Sequence, residues 1–146
     1  MIALLQRVRH ASVTVDEKEI GRIGQGLLVL LGVEKQDDAS IADKLINKML
    51  AYRVFEDDAG KMNRSLQDIG GELLLVPQFT LAADTRTGLR ASFSSAASPA
   101  EAERWFDYAV KQCEARLGQV QTGQFGADMQ VSLQNDGPVT FWLQIP

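Results

Sequence analysis

Met129-Gln130-Val131-Ser132-Leu133-Gln134-Asn135-Asp136-Gly137-Pro138-Val139-Thr140-Phe141-Trp142 sets a Gly-Pro pair between two segments that both read as strands, near Gln130 to Leu133 and Val139 to Ile145. Asn-Asp-Gly alone would serve a hairpin. Proline cannot donate to a sheet ladder and is confined to edges, bulges and turns. The added proline therefore has two readings. One is a turn that ends in Pro; the other is a rigid corner that presents bare backbone carbonyls.

Strands dominate the rest of the chain. Leu4 to Val8 and Ala11 to Val15 alternate, and Asp16-Glu17-Lys18 turns the chain toward Glu19-Ile20-Gly21, which reads as an opening hairpin. Gly26 to Val33 is a continuous apolar run bounded by glycine, as expected of a strand buried on both faces. Arg53-Val54-Phe55 reads as a further strand, and Glu72 to Val76 as another buried one behind Gly70-Gly71. Two helices interrupt them. Ile41, Leu45, Ile46, Met49 and Leu50 recur at helical spacing behind Asp38 or Ser40 as cap. Ser98 caps the second, Pro99 takes its first position and Glu101 completes a capping box, with Trp105, Phe106, Ala109, Val110, Cys113 and Leu117 as the apolar stripe. Between them Ala82 to Ser98 reads as a long exposed loop, a kind of segment that is usually functional or disordered.

The expected architecture is α/β, a single domain over residues 1–146 with a three-layer β/β/α arrangement, mixed sheets and two helices on one side. At 146 residues the chain can bury roughly 70% of its unfolded surface, so it needs no staples. One cysteine excludes an internal disulfide, and no stretch approaches a membrane span or a signal peptide, so the cytoplasm is the expected location. A net charge of -4 argues against coating nucleic acid with a bulk basic field, yet leaves room for local contact with an RNA end.

Much side-chain chemistry is missing. The lone His10 has no second histidine with which to share a metal. Gly21-Arg22-Ile23-Gly24-Gln25-Gly26 has its glycines in the wrong order for a dinucleotide loop, and no Gly-x-Ser-x-Gly elbow occurs. Cys113 sits on an apolar helix face, where an unactivated thiol is inert. No metal and no cofactor are expected.

Val76-Pro77-Gln78-Phe79-Thr80-Leu81 follows directly on the second buried strand, bringing a hydroxyl, an amide and backbone N–H groups to the start of the long loop. Alone it could continue the strand. Combined with Asn135-Asp136-Gly137-Pro138-Val139-Thr140 it resembles the D-aminoacyl-tRNA deacylases. The likeness runs through Leu5-Gln6-Arg7-Val8, Ala11 to Val15, Gly60-Lys61-Met62-Asn63, Asp84-Thr85-Arg86 and Gly123 to Met129.

That resemblance implies a homodimeric enzyme hydrolysing the ester between a D-amino acid and tRNA. It implies that Gln78, Phe79 and Thr80 line the pocket for the 3′-terminal aminoacyl-adenosine. It also implies a cis Gly137-Pro138 peptide that reaches into the partner's pocket. Arg7 would brace that corner, and Arg86 or Arg90 would meet tRNA phosphates. The family usually carries Ser where this chain has Pro77, so no hydroxyl or N–H can act from there. Carbonyls fixed by the corner would clash with an L side chain while accepting from the substrate amine, which is selection by exclusion. Glycine has nothing to exclude, so glycyl-tRNA, including glycine mischarged on tRNA(Ala), is an expected substrate.

Two sources of the hydrolytic power stay open: Thr80 as nucleophile, or the ribose hydroxyl beside the ester activating water while N–H groups around Phe79 and Thr80 steady the oxyanion. Two other functions compete, a non-catalytic module that binds RNA ends or a protein, and a hydrolase of small D-amino acid esters or peptides.

Overall fold

The computed structural model describes residues 1–146. The opening hairpin forms. β1 (Ile2–Val15) turns through Asp16 and Glu17, both in left-handed backbone, into antiparallel β2 (Lys18–Ile23). β3 (Gly26–Gly32) returns against the first half of β1, with Ile2 opposite Gly32 and Val8 opposite Gly26. β6 (Glu72–Pro77) lies parallel to β3, and β7 (Gln121–Thr122) parallel to β6. α1 (Ala39–Ala51) and α3 (Pro99–Leu117) are the two long helices, and β4 (Phe55–Glu56) pairs with β5 (Met62–Arg64) in a small separate ribbon.

Strand alternation sorts the apolar residues into two cores. Leu27, Val29, Leu31, Leu73 and Leu75 pack with Leu45, Met49, Phe106 and Cys113 beneath the long helices. Leu28, Leu74 and Val76 point the other way and meet Val8, Val13 and Ile23. The second half of β1 and β2 thus cover one face of the sheet while α1 and α3 cover the other, which is the expected β/β/α order in one mixed sheet. Each fully buried Leu or Val contributes about 1.5–3 kcal/mol by leaving water, so the two cores together hold the sheet from both sides.

The tail corrects its expectation. Gln130 to Gln144 form one strand, β8, antiparallel to β1 from Gln130 opposite Thr14 to Gln144 opposite Ile2. No hairpin forms. Val8 faces Asn135 and Gln6 faces Thr140, so the four residues Asp136, Gly137, Pro138 and Val139 bulge out opposite Arg7 alone. Hydrophobic alternation is the same on both sides of the bulge, and only the partner strand distinguishes a turn from a bend.

Smaller corrections have local causes. Arg53 and Val54 stay outside β4, because only Phe55 and Glu56 find partners in β5. A third helix, the single turn α2 (Leu66–Ile69), is held by a reciprocal capping box between Ser65 and Asp68. In α3 the Ser98 hydroxyl accepts from the Glu101 N–H at 3.3 Å, but the Glu101 carboxylate faces Arg104 at 3.7 Å instead of closing the box. Asp38, not Ser40, caps α1, accepting from the Ile41 N–H at 2.9 Å.

Candidate active site

β6 ends at Pro77, and the chain does not continue as strand. The Gln78 N–H still donates to Leu31 O at 2.8 Å, and Phe79–Ala82 then wind into a 3₁₀ turn. Pro77 costs no ladder bond there, because β7 pairs only opposite Leu74 and Leu75. Phe79 and Thr80 head the turn, where N–H groups have no partner inside it. Gln78 Nε2 donates to Thr80 Oγ1 at 2.5 Å.

Beside this turn opens a cavity of about 520 Å³. Its walls are mostly apolar: Pro77, Gln78 and Phe79 on one side, Phe106 of α3 on another, and Phe125 and Met129 from the segment before β8. Gln78 brings the one polar side chain to this lining, and a mostly apolar pocket with few polar groups is the usual form of a small-molecule site. Phe79 is half exposed, and its ring stacks on Phe93 with centroids 4.5 Å apart and an interplanar angle of 29°. Phe93 belongs to the long loop, whose base is pinned by Asp84 and Ser92 exchanging backbone bonds of 2.6 and 3.0 Å.

The bulge in β8 is a second centre. The Gly137-Pro138 peptide is cis, and Gly137 has φ 144°. Arg7 is buried, donating from Nε to Asp136 O and from its guanidinium to Val54 O, both at 2.8 Å. Gly137 and Pro138 themselves are exposed, and neither lines the cavity of their own chain.

The expected site residues therefore fall into two groups. Gln78, Phe79 and Thr80 come together at the 3₁₀ turn, where Gln78 and Phe79 line the cavity and Thr80 sits beside them, and Arg7, Gly137 and Pro138 come together at the bulge. Arg86 joins neither; it is exposed and committed to a fork on Asp84, with bonds of 3.0 and 2.8 Å. That guanidinium, chiefly through its side-chain hydrogen bonds, holds the Asp84 carboxyl down at about 2. Arg90 is exposed on the same loop.

No hydrogen-bond acceptor takes the Thr80 hydroxyl proton, and no histidine or carboxylate touches it. His10 is exposed on β1 opposite Gln134, and burial pushes the Cys113 thiol up to about 12, so neither supplies a base or nucleophile. No group of three His, Cys, Asp or Glu side chains could hold a metal. No helix is long and apolar enough to cross a membrane. Two site neighbours carry no signal in the sequence: Phe93 lies in a loop with no periodicity, and the task of Asn135 depends on the folded bulge.

Residues 4–144 match the family described as D-Tyr-tRNA(Tyr) deacylase. The chain belongs to that family. Curated relatives named D-aminoacyl-tRNA deacylase align over nearly the whole chain. The protein from Herminiimonas arsenicoxydans is 64% identical over 145 residues, covering 99% of this chain and 97% of the relative. That of Photobacterium profundum is 62% identical, covering 99% and 100%. Among solved structures, one named "c-Myc DNA Unwinding Element Binding Protein" superposes with a TM-score of 0.95 at 40% identity, covering 100% of this chain and 99% of the other. Another, "Structural Analysis of a probable eukaryotic D-amino acid tRNA deacylase", reaches 0.87 at 17% identity over 99% and 98%, and bears on the fold alone. The family expected from the separated motifs is thus the family found.

Proposed function

We propose that this protein hydrolyses the ester joining a D-amino acid to the 3′-terminal adenosine of tRNA, in the cytoplasm, as a homodimer. In that dimer the Gly137-Pro138 corner of each copy enters the cavity of the other. Full-length identity to relatives named for this activity supports the reaction class. One observation carries the geometry: the corner is exposed, braced by Arg7, and absent from the lining of its own chain's cavity. A corner that does not line its own pocket is suited to serve a neighbour's.

The reaction is then carried mainly by backbone and substrate. Water adds to the ester carbonyl carbon while the adjacent ribose hydroxyl relays its proton. The oxyanion rests against the Phe79 and Thr80 N–H groups. Collapse breaks the carbon–oxygen bond, and the departing ribose oxygen takes up the proton. Thr80 lacks an adjacent base, and a threonine hydroxyl without one is a weak nucleophile. Carbonyls at the corner accept from the substrate amine and leave no space for an L side chain.

The test is deacylation of D-tyrosyl-tRNA and L-tyrosyl-tRNA by the full-length protein, beside a simple D-tyrosine ester. Release from the D-aminoacyl-tRNA alone is expected. Binding without release would make the chain a non-catalytic RNA-end module, and hydrolysis of the simple ester at a similar rate would make it a small-ester hydrolase. A monomer that stays active and selective at dilution would remove the cross-subunit gate.

A further inference from the structure

Asn135 does something at the bulge that no other residue does. Its Oδ1 accepts from the Val139 N–H at 2.7 Å, and its Nδ2 donates to Val139 O at 3.2 Å and to Thr140 Oγ1 at 3.0 Å. Both backbone groups of Val139 have left the ladder with β1, since Gln6 next pairs with Thr140. Losing them to solvent-poor surroundings would cost the desolvation of each. One amide side chain replaces the missing strand partner. The orientation of that amide follows from the same pair, because an N–H needs the oxygen and a carbonyl needs the nitrogen.

The bulge therefore has two clamps. Arg7 holds the N-terminal side through Asp136 O, and Asn135 holds the C-terminal side through Val139. Gly137 and Pro138 stand between them with no ladder partner. A Cβ on Gly137 would come within 2.9 Å of the Val139 nitrogen and 3.2 Å of Arg7, so both clamps close tightly on the glycine.

We infer that Asn135 is a positioning residue for stereochemical selection: it closes the neck of the bulge and so fixes where the Gly137 and Pro138 carbonyls stand. The inference rests on the proposed gate. Asn135 is placed to touch the corner and not the substrate, so its loss should let the carbonyls drift and admit an L side chain, while the D-aminoacyl ester is still cleaved.

Asn135→Asp is the sharpest variant, because it keeps the acceptor for the Val139 N–H and sets a second carboxylate oxygen against Val139 O. Thr140→Val removes only the third contact. Measured as kcat/KM for L-tyrosyl-tRNA over D-tyrosyl-tRNA, the ratio should rise about tenfold in Asn135→Asp, the scale of one or two lost hydrogen bonds. It should rise less in Thr140→Val, with thermal midpoints recorded for both. A purely structural Asn135 would lower both rates together and leave the ratio alone. If the ratio stays fixed in both folded variants while Gly137→Ala raises it, Asn135 has no part in selection and the gate stands. If Gly137→Ala also leaves it fixed, the gate falls and this inference with it.

Discussion

Gln78 donates to Thr80 across one intervening residue, Nε2 to Oγ1 at 2.5 Å, and so occupies one of the two lone pairs through which that oxygen would attack. The bond leaves the Thr80 proton free to be donated. A hydroxyl held this way is better suited to donate a hydrogen bond than to attack.

Thr80→Ala should therefore slow turnover only about tenfold, the effect of one or two hydrogen bonds at roughly 1 kcal/mol each. A D-aminoacyl-tRNA ending in 2′-deoxyadenosine, with the ester on the 3′ oxygen, should lose about 10²–10⁴ in rate, the usual share of a general base. Single-turnover kinetics on both distinguish the two. Abolished turnover in Thr80→Ala together with full activity on the deoxy substrate would make Thr80 the nucleophile after all.

Phe93 should matter for binding more than for chemistry. It stacks on the half-exposed Phe79 at the cavity rim. Phe93→Ala strips that support and should raise KM for D-aminoacyl-tRNA by about two- to tenfold, since aromatic pairs contribute about 0.5–1.5 kcal/mol beyond their burial. The kcat should stay within about twofold if the stack only orders the rim. A fall in kcat at unchanged KM would place Phe93 in the chemistry instead.

Asp84 gives the long loop one titration in acid. Its carboxyl is held at about 2 against an ordinary 3.8, first by side-chain hydrogen bonds from Arg86 and then by the Arg86 N–H. A value lowered by folding stabilises the folded loop above the ordinary value, and that contribution fades as pH falls from about 4 toward 2. Carboxyl-carbon NMR should find the Asp84 midpoint near 2. In Arg86→Gln it should return toward the ordinary value, and identical midpoints in the two proteins would show that the fork does not form in solution.

How much of this could be read from residues alone depended on what kind of signal each part carries. β3 and β6 were legible because Gly26 to Gly32 and Glu72 to Val76 are apolar runs with clear breaks, and α3 because Ser98-Pro99 marks its start. α2 was not, since four residues carry no period. The tail is legible as chemistry but not as topology. Gly137-Pro138 announced a corner, but whether β8 turns back or runs on past it depends on β1, more than a hundred residues away. Thr80 and Gln78 were found through a motif, whereas their hydrogen bond and the Phe93 stack exist only once the loop is folded.

Gly26 should tolerate no side chain. A Cβ there would sit 1.8 Å from Glu72 O and 2.7 Å from the Glu72 nitrogen, all backbone of the parallel neighbour β6. Neither strand can yield without breaking its ladder, so Gly26→Ala should cost at least the ~1–3 kcal/mol of ordinary overpacking. Gly60→Ala makes the contrast: its Cβ meets nothing within 4 Å, and only its φ of 78° opposes it, at about 1–2 kcal/mol. Urea denaturation of the two variants should rank Gly26→Ala the less stable, and the reverse order would mean that β3 and β6 lie farther apart than described.

Glycyl-tRNA is the substrate on which selection by exclusion differs from selection by recognition. If fixed carbonyls act by colliding with an L side chain, glycine presents nothing to collide with and keeps the amine that they accept from. Its ester should then be cleaved at a rate nearer to D-alanyl-tRNA than to L-alanyl-tRNA, whether carried on tRNA(Gly) or mischarged on tRNA(Ala). A gate that instead gripped a D side chain in the apolar cavity would lose that grip with glycine. Matched enzyme concentrations on glycyl-, D-alanyl- and L-alanyl-tRNA decide it. Resistance of glycyl-tRNA equal to that of the L-substrate would sink exclusion and move the source of selectivity from the Gly137-Pro138 corner to the walls around Phe106 and Phe125.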